Sequence, residues 1–447
     1  MIARNCFLFI ALLLLPSCEE DVAVEKQHPT VWLTIDDVSC TEAWLRVVVN
    51  ISTPPYSITL SRDGEQVFTA SFLRSDTIVV DTGLSPNRTY RYTALLGGNS
   101  PELVTSEPLD ISTMDSTSHD FHWTIDTVGT EGSVLRDVAF VGNEIWAVGT
   151  ILVRSTGQLS RYNLARYVGN RWEQQAVLFP LCDDTGHETG AAWIDAISIN
   201  AMSQSDVWIA ERSSLVHWNG SGFIRYCLLP GYGQRSVSKV WGNEQQVVLV
   251  GSNGFVATNS GQGWTQLPTG TTVDLTDVWG TPDGSIVWAC GWNDFQPTVL
   301  LRIAGGSCEK VYEDESHLNG YRPDGFCGGI RSVWSNRNDR LYGLTWYGLF
   351  EAPDSTHGEA RQLWDGGNPS AWVSRRVRGN GINDLIAVGE QGRIWHYNGI
   401  SWRSFESLVN PRDELLSVAI RGDLAVAVGR RYYNGVQIIG VIYQGRR

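Results

Sequence analysis

A motif that returns seven times constrains this chain more than any other feature. An apolar strand begins near Val138, Ala196, Val240, Val278, Val333, Val377 and Val418, at spacings of 58, 44, 38, 55, 44 and 41 residues. A second apolar run follows each: Ile145-Trp-Ala-Val-Gly, Val207-Trp-Ile-Ala, Val247-Val-Leu-Val-Gly, Val287-Trp-Ala-Cys-Gly, Leu341-Tyr-Gly-Leu, Leu385-Ile-Ala-Val-Gly and Ala425-Val-Ala-Val-Gly. Third runs such as Leu215-Val-His-Trp-Asn-Gly lead into fourth runs starting near Trp172, Phe223, Trp264 and Trp402. Four short strands in a unit of about 40–45 residues is the arithmetic of a β-propeller. The expected fold class is all-β: a small N-terminal sandwich, then a seven-bladed propeller over 119–447. Nineteen Trp and 46 Gly against three Met suit turn-dense strands better than helices.

The last unit supplies its own check. After Gly440-Val-Ile-Tyr-Gln-Gly it has no fourth strand, while Phe121-His-Trp-Thr-Ile-Asp-Thr-Val128 stands alone before the first unit. The strand 121–128 is therefore expected to complete the last blade, because an unpaired outer strand exposes backbone donors and invites aggregation.

Before the repeats, residues 31–113 alternate apolar and polar in short runs such as Trp44-Leu-Arg-Val-Val-Val and Tyr56-Ser-Ile-Thr-Leu, separated by turn signals such as Arg62-Asp63-Gly64. This predicts an antiparallel sandwich. The stretch Leu84-Ser-Pro86-Asn-Arg-Thr-Tyr90 resembles the fibronectin type III pattern, which implies that Leu84 plugs the core and Tyr90 forms a tyrosine corner. Domains of that kind are usually spacers.

The N-terminus carries an address. Arg4 and the run Cys6-Phe-Leu-Phe-Ile-Ala-Leu-Leu-Leu-Leu15 read as a signal peptide over 1–17, too short to span a bilayer core of roughly 30 Å as a helix. Leu15-Pro16-Ser17-Cys18 resembles the lipobox of bacterial lipoproteins, which implies cleavage before Cys18, lipid on its thiol, and a tether over 18–30. Glu19-Glu20-Asp21 resembles the surface-export signals of Bacteroidota lipoproteins. The Asp-Val-Trp-Gly and Trp-Asn-Gly phrases resemble bacterial envelope propeller-repeat proteins, a family with no catalytic motif to transfer. The implied place is the outer membrane, at the cell surface or on its periplasmic side.

Chemistry is sparse. A net charge of −14, from 48 acidic and 34 basic residues, gives no footprint for nucleic acid. His-Glu-x-x-His, Gly-x-Ser-x-Gly and Walker-type loops are absent, and Asn259-Ser-Gly-Gln-Gly-Trp264 lacks the aspartate of a sialidase-type box. Asp137, Asp195 and Asp277 share one repeat column with Lys239, Ser332 and Ser417; they line a channel or cap turns, and act in catalysis only if they converge. Trp146, Trp208 and Trp288 recur at one position and read as packing between blades. Arg421-Gly422-Asp423 reads as a turn. Of the six cysteines left after the signal and Cys18, Cys182 with Cys227 and Cys308 with Cys327 are candidate disulfides. Acidic runs at Asp183-Asp184 and Glu313-Asp-Glu315 are weak candidates for calcium, and no cofactor is expected.

Loop parity gives the functional expectation. In a four-strand meander the second-to-third loop and the sheet-to-sheet connection emerge on one face, and the long insertions 150–163, 180–193, 292–298, 313–329 and 430–437 all belong to that set. They carry the candidate binding residues Tyr162, His187, Trp193, Trp292, Phe295, His317, Tyr321, Arg322, Tyr432 and Tyr433. The expectation is an envelope-anchored binding or scaffold module for a protein or glycan partner. A carbohydrate-active enzyme, of glycoside hydrolase or lyase type, at the same face is the rival.

Overall fold

The computed structural model describes residues 28–50, 54–98, 103–228, 236–293, 296–315, 325–337, 340–353, 360–364, 374–433 and 437–447. Cys18 and the signal-like stretch lie outside the described residues. Among the described residues no helix is long and apolar enough to cross a membrane. The chain divides into two compact units: residues up to Val38 with Glu42–Gly83 and Thr89–Ser112, and Ser39–Thr41 with Leu84–Arg88 and Thr113–Arg447.

The first unit holds two antiparallel sheets. Glu42–Val49 lies between Val31–Val38 and Asp76–Thr82 in one. In the other, Tyr56–Arg62 lies between Glu65–Phe72 and Thr89–Gly98, and Thr89–Gly98 also pairs with Val104–Thr105 and Leu109–Ser112. Every second residue is buried along the central strands, as in Ile58 and Leu60 or Tyr92, Ala94 and Leu96, because side chains on a strand alternate faces. Leu84 and Tyr90 are buried.

The second unit contains seven four-stranded antiparallel sheets, spanning 134–175, 198–227, 237–266, 275–314, 332–364, 374–404 and 413–446. Six are meanders in chain order. The seventh runs Asp413–Arg421, Leu424–Tyr433, Gln437–Arg446 and then His122–Val128, in register from Gly440 opposite Val128 to Arg446 opposite His122. The first strand of each sheet lies beside that of the next, and the seventh beside the first, so the sheets close a ring. Seven apolar cores fill the spaces between neighbouring sheets. The recurring tryptophans sit there: Trp146 meets Trp218 and Phe223 of the second sheet at 6.0 and 6.4 Å, and Trp208 meets Trp264 of the third at 5.9 Å.

One bulge explains much of the repeat. The first strands shift register at 135/137, 237/239, 275/277, 374/376 and 415/417. At each such shift an extra residue is pushed out of the ladder and re-aimed. The glycine ending the Trp-Ala-Val-Gly phrase answers it. A Cβ on Gly149, Gly251, Gly291 or Gly429 would collide with the bulging carbonyl of Val134, Ser236, Asp274 or Glu414.

Two expectations are corrected. The first strand of the second sheet is Ser198–Ser203, not a strand beginning at Ala196, so the column residue is Ser198 and Asp195 lies before the sheet. An inserted hairpin, Leu178–Cys182 with Glu188–Trp193, feeds apolar residues into the approach and blurs the phase. Cys308 is a thiol, so the Cys308–Cys327 bridge is not formed. Cys308 packs on the core between the third and fourth sheets, and Cys327 in the core between the fourth and fifth. The fourth sheet separates them. Cys182 and Cys227 are bonded, which pins the inserted hairpin to the outer strand of the second sheet.

Candidate functional site

Seven column residues gather at the ring axis, five of them directly after the bulge: Asp137, Ser198, Lys239, Asp277, Ser332, Arg376 and Ser417, with Ser198 and Ser332 in the two strands that lack it there. They form a plug. The Asp137 carboxylate accepts from Ser198 Oγ at 2.8 Å, the Ile199 amide at 2.8 Å, Lys239 Nζ at 2.5 Å and Ser417 Oγ at 2.7 Å. Asp277 accepts from Ser332 Oγ at 2.6 Å, the Val333 amide at 3.0 Å and both Arg378 terminal nitrogens at 3.1 and 2.8 Å, and it pairs with Arg376. Asp137 thus ties the first sheet to the second, third and seventh, and Asp277 ties the fourth to the fifth and sixth. Acid, serine and cation follow one another twice around the ring.

The electrostatics of the plug are lopsided. Burial would raise both carboxyls, but Lys239 and Arg376 near Asp137, and Arg376 and Arg378 at Asp277, outweigh it and hold both below the usual range. Burial also brings Lys239 down to about 8; Asp137 resists and the two arginines add to the fall. These acids do converge, across sheets, but on cations. Asp137 and Asp277 are committed to structural bonds rather than presented to a substrate.

On the loop face the predicted residues form three groups. Arg161, beside Tyr162, lies 5.5 Å over Trp193, and His187 sits exposed in the hairpin turn with Nδ1 2.7 Å from Thr185 Oγ1. Trp292 packs edge-on against Trp346 at 4.8 Å, with the Arg331 guanidinium 4.7 and 5.4 Å from the two rings. The Tyr432 hydroxyl donates to Glu414 at 3.1 Å, and Tyr433 is exposed. Phe295, His317, Tyr321 and Arg322 lie outside the described residues.

What unites this face toward the axis is a set of arginines that the loop argument passed over. The residue just before the column is Arg136, Arg331 or Arg375 in the first, fifth and sixth sheets. Arg136 and Arg375 are the extra residues of the bulge. Burial, and the like charges of Arg212 and Arg430, lower the Arg136 pKa against the pull of Asp195, 3.7 Å away. Arg375 pairs with Glu390 at 3.1 Å and Glu414 at 2.6 Å, and Arg430 with Glu414 at 2.6 Å, around a recess of about 370 Å³. The signal was readable: Arg136-Asp137, Arg331-Ser332 and Arg375-Arg376 each put arginine one place before the column.

The turn face carries a different feature, a funnel of about 430 Å³ on the axis. Val138, Ile199, Val240, Val278 and Val418 line its depth, and Phe140, Met202, Trp241, Trp279 and Arg421 also line it. Arg421 pairs with Leu424 across the Gly422-Asp423 turn, so the Arg-Gly-Asp tripeptide is a hairpin end. Among the described residues no group of three His, Cys, Asp or Glu is arranged to hold a metal ion. The Asp183 carboxylate accepts instead from the Thr185 and His187 amides.

Comparison with solved structures agrees with the ring. The chain is similar to a structure described as YCF48 bound to D1 peptide, at TM-score 0.53 and 12% identity, over 74% of this chain and 97% of that one. Weaker likenesses are a computationally designed protein, Ika8, at TM-score 0.43 and 13% identity over 70% and 98% of the two chains, and a chain of the mitotic checkpoint complex at 0.44 and 9% over 74% and 96%. No protein-family model and no curated protein matches the sequence. The fold of the second unit is a β-propeller.

Proposed function

We propose that this chain is an envelope-anchored lipoprotein, held by lipid on Cys18, whose seven sheets act as the blades of a binding propeller raised on a fibronectin type III-like spacer. Its loop face recognises an acidic segment of a protein partner. One observation carries this reading: arginines gather at this mouth, Arg375 and Arg430 around one recess and Arg136 and Arg331 one place before the column, in a chain of net charge −14. Arginines gathered at one mouth of an acidic body steer acidic partners toward it. Tyr432, Trp292 and Trp346 beside the arginines supply the residue types that anchor interfaces. The solved propeller with a D1 peptide offers a precedent for peptide recognition on this fold. Asp195, Glu390, Asp413 and Glu414 each carry an arginine partner, which favours recognition over a glycoside-cleaving pair made from them.

Fluorescence anisotropy with a labelled acidic peptide, a charge-reversed peptide and a neutral glycan tests the reading. Acidic peptide should bind in a salt-sensitive way and be lost in Arg136→Glu with Arg212→Glu, while Asn219→Ala and Asn170→Ala on the turn face leave it unchanged. Equal binding of the charge-reversed peptide, or indifference to the double variant, would remove the loop-face assignment. The anchor is tested separately by mass spectrometry of the mature N-terminus, where a wild-type form without lipid rejects it.

A further inference from the structure

The turn-face funnel is lined by three charged residues, Lys239, Arg378 and Arg421, and by no carboxylate. Behind its floor the plug holds Lys239, Arg376 and Arg378 against Asp137 and Asp277, so the axis carries one more cation than acids. Lys239 and Arg378, 6% and 4% exposed, are each paired with an acid, Asp137 and Asp277, so the surplus of one positive charge belongs to the group of five as a whole. A net charge in a protein interior is costly unless something answers it. The walls are otherwise apolar and aromatic, and Trp279 lies under the Arg378 guanidinium at 4.4 Å. The plug sits between the two mouths, so what enters from the turn face meets a floor.

We propose that this funnel binds a small amphipathic carboxylate, its acid group turned toward Lys239, Arg378 and Arg421 and its apolar body against Trp241, Trp279 and Met202. An inorganic anion would answer the charge and leave the apolar walls wet. A neutral hydrocarbon would dry the walls and leave the charge unanswered. The volume of about 430 Å³ falls in the range that accommodates small ligands. The site lies on the face opposite the arginine mouth and does not depend on it.

Calorimetry and tryptophan fluorescence on the full chain, with phenylacetate, phenylbutyrate and octanoate, each beside its neutral amide, and with inorganic phosphate, test this. The acids should bind about tenfold or more tightly than the amides, as expected for losing a hydrogen bond to a charged group. Phosphate should bind more weakly than the acids. Arg421→Glu should weaken all three acids, and Ala201→Leu, which fills the funnel, should exclude the bulkier two; circular dichroism confirms folding of each variant. Amides binding as well as acids, acids bound equally by both variants, or silence from all three acids overturns the proposal.

Discussion

The two mouths of one ring are built from the same strands and present opposite chemistry. On the loop face Arg136, Arg331 and Arg375 stand one place before the column, Arg136 and Arg375 as the extra residues of a bulge, and acids such as Glu390 and Glu414 partly answer Arg375. On the turn face the same strands, two or three residues later, offer valines, tryptophans and cations with no acid among them. Paired charge that meets water suits a reversible polar contact, whereas a buried cluster with one surplus cation favours an anionic ligand. A shift of a few residues along one strand therefore separates an arginine-bearing rim from an apolar-walled funnel. Between the two lies the plug, which both depend on.

Cutting the ring should disturb both mouths most. A chain starting at Gly132 lacks His122–Val128 and leaves Gln437–Arg446 as an open edge. It should aggregate and lose both the acidic peptide and the carboxylate probes; monomeric elution with unchanged melting would show that the closing strand is dispensable. Removing one hub comes next. Asp277→Leu strands Arg376 and Arg378 in the interior and should cost about 3–5 kcal/mol by chemical denaturation. If only one mouth suffers in that variant, the plug is not shared.

Reduction of the Cys182–Cys227 bond should separate the faces. It frees the inserted loop-face hairpin and should lower stability by about 2–4 kcal/mol at most. Carboxylate binding in the funnel should be unaltered, and a funnel that responds equally would blur the distinction. The smallest effect is a pH dependence at the ring seam. Burial, followed by the neighbouring His396 ring with Nδ1 atoms 2.7 Å apart, brings His119 from 6.5 down to about 4. The unfolded chain therefore takes up a proton that the fold refuses, and stability should fall as pH drops from 6.5 toward 4. His119→Asn should flatten that part of a melting-temperature profile, and an unchanged slope would assign it to other groups.

Much of this ring could be read from residues because the bulge demands glycine opposite it, so Trp-Ala-Val-Gly writes the strand pair into the chain. The phase failed where an insertion supplied a counterfeit: Ala191-Ala192-Trp193 and Ile194 mimic a strand start and drew Asp195 into a column that belongs to Ser198. Cys308 and Cys327 are close in sequence, yet a sheet lies between their cores. The hubs were unreadable for a different reason. Lys239 meets Asp137 across 102 positions and Arg378 meets Asp277 across 101, and no local pattern encodes such a pairing. The mouth arginines are visible one place before the column.

The seam has a temporal consequence. Val128 and Gln437 stand about 310 residues apart, and the strands they bound are partners. At roughly 5–20 residues per second, a ribosome needs about 15–60 s to make the stretch between them. Throughout that interval the early strand has no mate, and by its end six sheets form an open arc with two raw ends. Whatever shelters nascent chains must therefore hold this one late, and the slow encounter of distant strands, rather than the folding of any single sheet, sets when the protein first exists as a ring.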